Sequence, residues 1–311
     1  MTVSLAKSSF STYAPLKIKL CLFSGVLLFT CQTRKMENKF DANNFETITI
    51  SFDGNVAWVT LNRPEVLNAF NLQMQNEIRS TWRAFREMDD VHAVVLTGTG
   101  EKSFSVGIDR DDDMSALQDK ENLYGTSNNY MYDDPGDDLG PKSCDLWKPV
   151  ICAVNGMCCG GAFYFLAECD IIIAAEHATF FDPHVTYGMP AVYEPMKMAQ
   201  RMPLGEILRM TLLGNHERLS ADTAKQIGLV SEVVPIEALH ERASWISTAI
   251  ASQPPVAVQA SLRAIWAAND LGRHDALSLA PSILSTGMSK KAMAEGQSLF
   301  ESGHRIDHQT R

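Results

Sequence analysis

The sequence predicts an α/β fold, with strands and helices alternating over residues 36–203 and a helical region over 204–311. Three observations predict it. Between Trp147 and Asp170 (WKPVICAVNGMCCGGAFYFLAECD) the apolar run Val150 to Val154 stops at Asn155-Gly156, and Gly160-Gly161-Ala162 opens an amphipathic segment. That order reads as strand, tight turn and helix. Between Ala93 and Asp109 (AVVLTGTGEKSFSVGID) a buried strand again runs into glycine-rich turn chemistry. Beyond Pro203 the pattern becomes almost wholly helical.

Each element has its own signal. Glu46 to Phe52 alternates apolar and polar residues, Asp53-Gly54 is a turn, and Val56 to Leu61 is a strand, which together predict a hairpin. Asn71 to Met88 has helical spacing, with Leu72, Ile78, Trp82 and Phe85 on the apolar side. Ala93 to Thr97, Ile171 to Ala174, Ala178 to Phe181 and Leu229 to Val234 read as strands. Leu204 to Leu213 and Ser220 to Ile227 read as helices, the second capped by Ser220. Helices over 236–252, 255–268 and 274–303 follow, with a break near Pro281. Asp111 to Gly140 has little periodicity and is expected to be a loop beside the site. Its Asp111 to Asp113 and Asp133 to Asp138 clusters lack the spacing of a calcium loop, so they read as solvated acids. No internal repeat is legible.

Composition narrows the function. The 311 residues carry 27 Lys+Arg against 37 Asp+Glu, a net charge of −10, which speaks against a nucleic-acid binder. The seven cysteines are odd in number, lie mostly in apolar runs and form no CxxC pair. They predict buried reduced thiols in a cytoplasmic protein and no metal site. Residues 1–35 stand outside the fold pattern. Leu20 to Thr30, after Lys17 and Lys19, is like a signal-peptide apolar core and too short to span a bilayer, so no stable membrane insertion is expected. The segment reads as an upstream extension or a misassigned start, with Met36 a natural first residue; export or anchoring is the alternative.

A helix that begins at Gly160-Gly161 leaves bare backbone N–H groups at its positive end. Such a terminus suits an anion, or an oxygen that becomes negative during a reaction. Tight helix–sheet packing is the other reason for small residues there. The turn at Val106 to Asp109 could supply a second N–H. Nothing in the sequence brings the two turns together.

LNRPEVLNAFN (Leu61 to Asn71), LTGTGEKSFSVGID, KPVICAVNG with CCGGAF, and LGNHERLSADTAKQIGLVSEVVP (Leu213 to Pro235) resemble the crotonase superfamily, which includes the enoyl-CoA hydratases and isomerases. The resemblance runs from about Phe45 to about Asn269, with the motifs in the family's order and spacing. It implies a spiral of ββα turns, a C-terminal helical region that makes trimers or dimers of trimers, and an acyl-CoA thioester in an oxyanion hole. Coenzyme A enters as part of the substrate, with no other cofactor. By position the two oxyanion N–H groups fall on Ile108 and Gly161. The acyl-CoA would lie against Asn68-Ala69-Phe70, Gly107, Asp109 and Gly160. Asp111 stands where relatives often carry a lysine, so Arg110 or a neighbouring subunit must offset it.

The resemblance fails at the acid–base residues. The family's hydratases use two glutamates; here their positions hold Tyr164 and His184. An imidazole can serve as a base near neutral pH. If the chain is extended at this point, Asp182 shares a face with His184 and can orient it. Glu194 lies ten residues on, at the mouth of a helix. Tyr164 could donate to a developing enolate. The alternatives are a structural histidine, a tyrosine that only lines a pocket, and a glutamate that only charges a helix N-terminus. The resemblance thus implies an acyl-CoA enzyme of the hydratase/isomerase type. A C–C hydrolase of β-diketones is a second reading, with His184 activating water and Glu194 orienting it. A non-catalytic acyl-CoA-binding protein is a third.

Overall fold

The computed structural model describes residues 19–23, 26–30, 44–111, 134–303, 306 and 308–311. The chain divides into two compact units, Met1–Phe40 and Asp41–Arg311. In the first, β1 (Lys19–Phe23) and β2 (Val26–Thr30) pair antiparallel.

In the second unit β3 (Ile48–Asp53) and β4 (Val56–Leu61) form the expected hairpin. Its turn needs a left-handed residue, and Gly54 supplies one at φ +55°. Helix α1 (Leu72–Glu87) is capped by Asn71, whose side chain accepts from the Met74 N–H. Met74, Ile78, Trp82 and Phe85 are its buried apolar residues. Leu72, expected on that side, is 61% exposed. It precedes Ile78 by six residues, which at ~100° per residue places it roughly 120° round the helix.

Next come β5 (Ala93–Gly98), β6 (Ser103–Ser105), the short helix α2 (Gly136–Leu139), β7 (Val150–Val154) and β8 (Met157–Cys159). They are followed by α3 (Phe163–Glu168), β9 (Ile171–Ala175) and β10 (Thr179–Phe181). Then come α4 (Tyr193–Met198), α5 (Leu204–Leu213), β11 (Leu219–Ser220), α6 (Ala221–Gln226) and β12 (Glu232–Val234). Of the expected 111–140 loop, 112–133 lie outside the described residues, and with them Asp112, Asp113 and Asp133.

From β5 to β10 successive strands alternate between two sheets. One has the order β12-β9-β7-β5-β4-β3 and the other β11-β10-β8-β6. Pairing is parallel except at the β3–β4 and β10–β11 edges. The pairs β5/β6, β7/β8 and β9/β10 therefore each give one strand to each sheet, so the structure contains a repeat that the residues do not spell out. β7 is buried along its whole length, as an interior parallel strand must be.

The C-terminal helices are α7 (Ile236–Ala251), α8 (Pro255–Asp270), α9 (Arg273–Gly287) and α10 (Lys290–Glu301). α7 closes the larger sheet: Leu239 and Ala243 join the core of Val56, Trp58, Val95, Ile151 and Ile173. The expected break at Pro281 lies instead at Met288-Ser289. The Ser289 hydroxyl caps the last helix by accepting from the Ala292 N–H. Pro281 stays inside α9; the carbonyl four residues back belongs to exposed Leu277, where water can replace the lost donor. Among the described residues no helix is long and apolar enough to cross a membrane.

Two buried asparagines tie the turn after β5 to its neighbours. Asn155 accepts from the Gly98 N–H at 3.0 Å and donates to the carbonyls of Gly100 (2.6 Å) and Ser103 (3.0 Å). Asn68 donates to the carbonyls of Thr99 and Ser103 and accepts from the Arg63 N–H. Asn155→Ala strands a buried N–H and a carbonyl, and each such group costs roughly 1–3 kcal/mol. Urea unfolding should show a loss of about 3 kcal/mol; a loss near zero would mean that this turn is held by something else.

Candidate active site

The site begins where two glycine turns touch. After β6, the Ser105 hydroxyl accepts from the Gly107 N–H, and Gly107 takes φ +86°. The Gly107 carbonyl accepts from Phe70 N, and Asp109 N donates to the Phe70 carbonyl, both at 2.8 Å. The residue between them, Ile108, pairs with Phe70 in a bridge. Its own N–H therefore points away from Phe70, by the alternation of extended chain. After β8, Gly160 (φ +54°) starts the single turn Gly160–Ala162 that leads into α3. A Cβ built on Gly107 would stand 2.7 Å from the Gly161 nitrogen, and one on Gly161 would stand 2.8 Å from Phe70 Cε1. The two turns pack main chain on main chain, with no room for a side chain at either glycine.

The expected substrate-contacting residues Asn68, Ala69, Phe70 and Asp109 are buried and build the wall of this site. The Asn68 side chain is committed to the turn described above. Asp109 pairs with Arg63 at 2.8 Å, and Arg63 also donates to the Ala69 carbonyl. The Phe70 ring meets Phe165 edge to face at 6.4 Å.

The polar half comes from the turn after β10. Asp182 is fully buried, and its Oδ1 accepts from the His184 backbone N–H at 3.0 Å and lies 2.5 Å from His184 Nδ1. The pair forms as the sequence suggests, though by different geometry. Pro183 is helical (φ −85°, ψ −7°) and His184 opens a single-turn helix to Tyr187, so the chain is not extended. The Asp182 carboxylate captures the N–H two residues on, as Asx turns do, and the imidazole folds back onto it. Asp182 Oδ2 is buried with no hydrogen-bond partner among the described residues. The imidazole borders Gly160, whose Cβ, if present, would lie 3.6 Å from His184 Cε1. His184 Nε2 faces Glu194 Oε1 at 3.6 Å, longer than a hydrogen bond. Asp182, rather than Glu194, thus holds the ring.

Tyr164 is also buried, and its hydroxyl donates to Asp134 Oδ2 at 2.9 Å. Asp134 belongs to the acidic cluster that the sequence assigns to solvent. The only cue to its role is that apolar Leu139 follows within five residues; its partner is thirty positions away. Lys197 lies over the Tyr164 ring at 5.9 Å, and its ammonium pairs with Glu168 at 2.8 Å.

These surroundings shift the titrating groups. The hydrogen bond His184 gives to Asp182 raises His184 above its ordinary 6.5, against the opposing effect of burial. Burial raises Glu194, and burial raises Asp134 despite the Tyr164 hydrogen bond. Burial and the adjacent Glu194 and Asp134 push the Tyr164 hydroxyl far above its usual range, so it acts only as a neutral donor. Five cysteines (144, 152, 158, 159 and 169) are buried thiols, and burial pushes Cys159 up to about 12. Among the described residues no group of three His, Cys, Asp or Glu is placed to hold a metal. A cavity of about 740 Å³ bordered by Arg201 and Trp266 lies under α8, away from His184.

Comparisons with known proteins agree with this architecture. Residues 51–307 match the family described as enoyl-CoA hydratase/isomerase. A short-chain-enoyl-CoA hydratase of Clostridium acetobutylicum is 34% identical over 70% of this chain and 80% of its own. A protein of Dictyostelium discoideum described as a probable mitochondrial enoyl-CoA hydratase is 31% identical over 87% of this chain and 94% of its own. The crystal structure of an enoyl-CoA hydratase/isomerase from Mycobacterium paratuberculosis superposes with a TM-score of 0.74 at 35% identity, covering 87% of this chain and all of the other.

The glycine contact can be tested against a control. Gly107→Ala and Gly188→Ala both force alanine into positive φ, but only the first drives Cβ into main chain; Gly188 has open space around it. Backbone strain alone costs about 1–3 kcal/mol. In thermal or urea unfolding Gly107→Ala should lose clearly more than Gly188→Ala; equal losses would show that the two turns have room to separate.

Proposed function

The chain belongs to the enoyl-CoA hydratase/isomerase family of the crotonase superfamily, and on that footing we propose how it acts. It is an acyl-CoA enzyme of that type. In our reading the Ile108 and Gly161 N–H groups receive the thioester oxygen as it gains charge. Preorganised donors of this kind contribute roughly 10²–10³ in rate each. His184 is the base that activates water. Asp182 accepts the Nδ1 proton, which leaves the Nε2 lone pair free to take a proton. Tyr164 stands in place of one usual glutamate and His184 in place of the other, with Glu194 beside the ring. The observation that carries this reading is the meeting of three sequence-distant turns: Gly107 lies against Gly161, and His184 against Gly160. Coenzyme A comes with the substrate, and no other cofactor is invoked. Arg110, stacked on Tyr187 at 5.1 Å, is the cation nearest in sequence to offset Asp111. The buried thiols support a reducing compartment such as the cytoplasm.

A second reading is favoured by one observation. A C–C hydrolase of β-diketones needs a histidine oriented by an acid, and Asp182–His184 at 2.5 Å is such a pair. Side-by-side turnover of crotonyl-CoA and a bicyclic β-diketone decides between them; activity on neither leaves acyl-CoA binding as the function. We also propose a homotrimer or a dimer of trimers. Ile265, Leu271, Leu277 and Leu284 of the C-terminal helices lie exposed in the single chain, and a partner would cover them. Sedimentation should find no stable monomer at micromolar concentration.

Replacing His184 with Ala should lower kcat by roughly 10² or more with KM little changed, because the oxyanion donors are main chain. The base must be deprotonated, and its pKa is raised. The acid limb of kcat/KM should therefore lie above 6.5. Asp182→Asn removes the largest cause and should move that limb to lower pH. A limb indifferent to Asp182, or full activity in His184→Ala, would remove His184 from the reaction. His184→Glu should keep crotonyl-CoA hydration under the first reading and abolish C–C cleavage under the second.

A further inference from the structure

The catalytic turns follow the ends of β6, β8 and β10. The cavity of about 740 Å³ under α8 lies at the other end of the strands, bordered by Pro149, just before β7, and Ile171, the first residue of β9. The five residues of β7 alone put roughly 16 Å between the two ends. The cavity is built by a specific contact. No residue of α8 is buried, so the helix stands off the core. Trp266 holds it there: its indole donates to Asp170 Oδ1 at 2.7 Å, and the Arg201 guanidinium lies over its ring at 5.1 Å. Ile171, Leu229, Ile250, Val258 and Leu262 make the lining largely apolar.

One charge in this lining has no counter-charge. Arg201 donates through Nε to the Ala167 carbonyl at 2.7 Å and through Nη2 to the Cys169 carbonyl. Both acceptors are neutral. The acids nearest it are already taken, Asp170 by Lys142 and Glu168 by Lys197, each at 2.8 Å. Among the described residues no carboxylate forms an ion pair with Arg201. A partly enclosed cation with no anion beside it is costly, and a ligand that brings an anion offsets that cost. A single unpaired guanidinium next to an apolar space selects a singly charged head on a hydrocarbon tail. A phosphate monoester, with about two negative charges at neutral pH, would call for a second cation, and Lys142 is committed to Asp170.

We propose that this cavity is a second binding site, for a carboxylic acid with an aliphatic tail. The carboxylate lies on Arg201, and the tail runs along Leu229, Ile250, Val258 and Leu262. The volume of about 740 Å³ falls within the roughly 300–1,000 Å³ of small-molecule sites. Binding here needs neither a thioester nor His184, so it holds whichever reaction the enzyme performs. Ile265, at the rim, is among the exposed residues that a partner subunit would cover, so the test uses the protein in its native assembly.

Calorimetric titration of the intact protein with decanoate and with decanol is the test. Decanoate should bind saturably, one per chain, and roughly tenfold or more tightly than decanol, because only the acid makes a charge-assisted bond to Arg201. Val258→Phe and Leu262→Phe narrow the cavity from the α8 side and should each weaken decanoate by roughly tenfold or more. Arg201→Gln should bring decanoate and decanol to the same affinity. No saturable binding, as when a partner's side chains fill the space, overturns the proposal. So does equal binding of acid and alcohol by the wild type, or full decanoate affinity in both phenylalanine variants, which would place the acid elsewhere. Should the Arg201 variant fail to fold, the decanoate–decanol comparison and the two α8 variants decide.

Discussion

Two buried amides, Asn68 and Asn155, converge on the Ser103 carbonyl, and the rest of the site depends on them. Asn68 comes from the segment after β4 and Asn155 from the turn after β7. Between them they meet the polar groups of a tight turn that would otherwise be orphaned in the core. The turn fixes β6, and β6 aims Gly107 and Ile108. Gly98 has to be glycine for the same reason, since a Cβ there would lie 2.6 Å from the Phe104 carbonyl and 2.8 Å from the Asn68 amide. Neither amide is part of the Gly107–Gly161 contact, yet both set where the Gly107 backbone meets Gly161.

The opposite wall is built from acids placed where water is scarce. Asp182, Glu194 and Asp134 are within one another's field, and each is satisfied by a different device. Asp182 takes a backbone N–H and an imidazole, Asp134 takes a phenol and a backbone N–H, and Glu194 is left facing the ring. Such clusters shift pKa values and are expected at functional sites. The buried aspartate behind His184 raises the imidazole's pKa against the opposing effect of burial.

Much of the scaffold was legible because it is local. Hairpin, capped helices and the two strand-to-glycine turns each occupy a short run with its own signal. Contact between residues far apart was not. The approach of Gly107 to Gly161 and the bond from Tyr164 to Asp134 join segments that no periodicity connects. Asp134 in particular lies in an acidic run whose composition reads as solvent-facing. Even the Asp182–His184 pair, right in its partners, depended on an Asx turn rather than on the extended chain that spacing alone suggested. Pro281 misled for the converse reason: the carbonyl it leaves unbonded belongs to exposed Leu277, and the helix continues through it.

The contact of bare main chain at Gly107 and Gly161 has an evolutionary consequence. Backbone amides are encoded by no particular side chain, so mutation can ruin them but cannot exchange them for another chemistry. Tyr164, His184 and Glu194 are ordinary codons arranged around that frozen pair. A lineage built this way inherits that main-chain contact unchanged and varies only the side chains around it. Saturation libraries at those three positions, with both glycines kept, are therefore the natural place to look for new reactions in this scaffold.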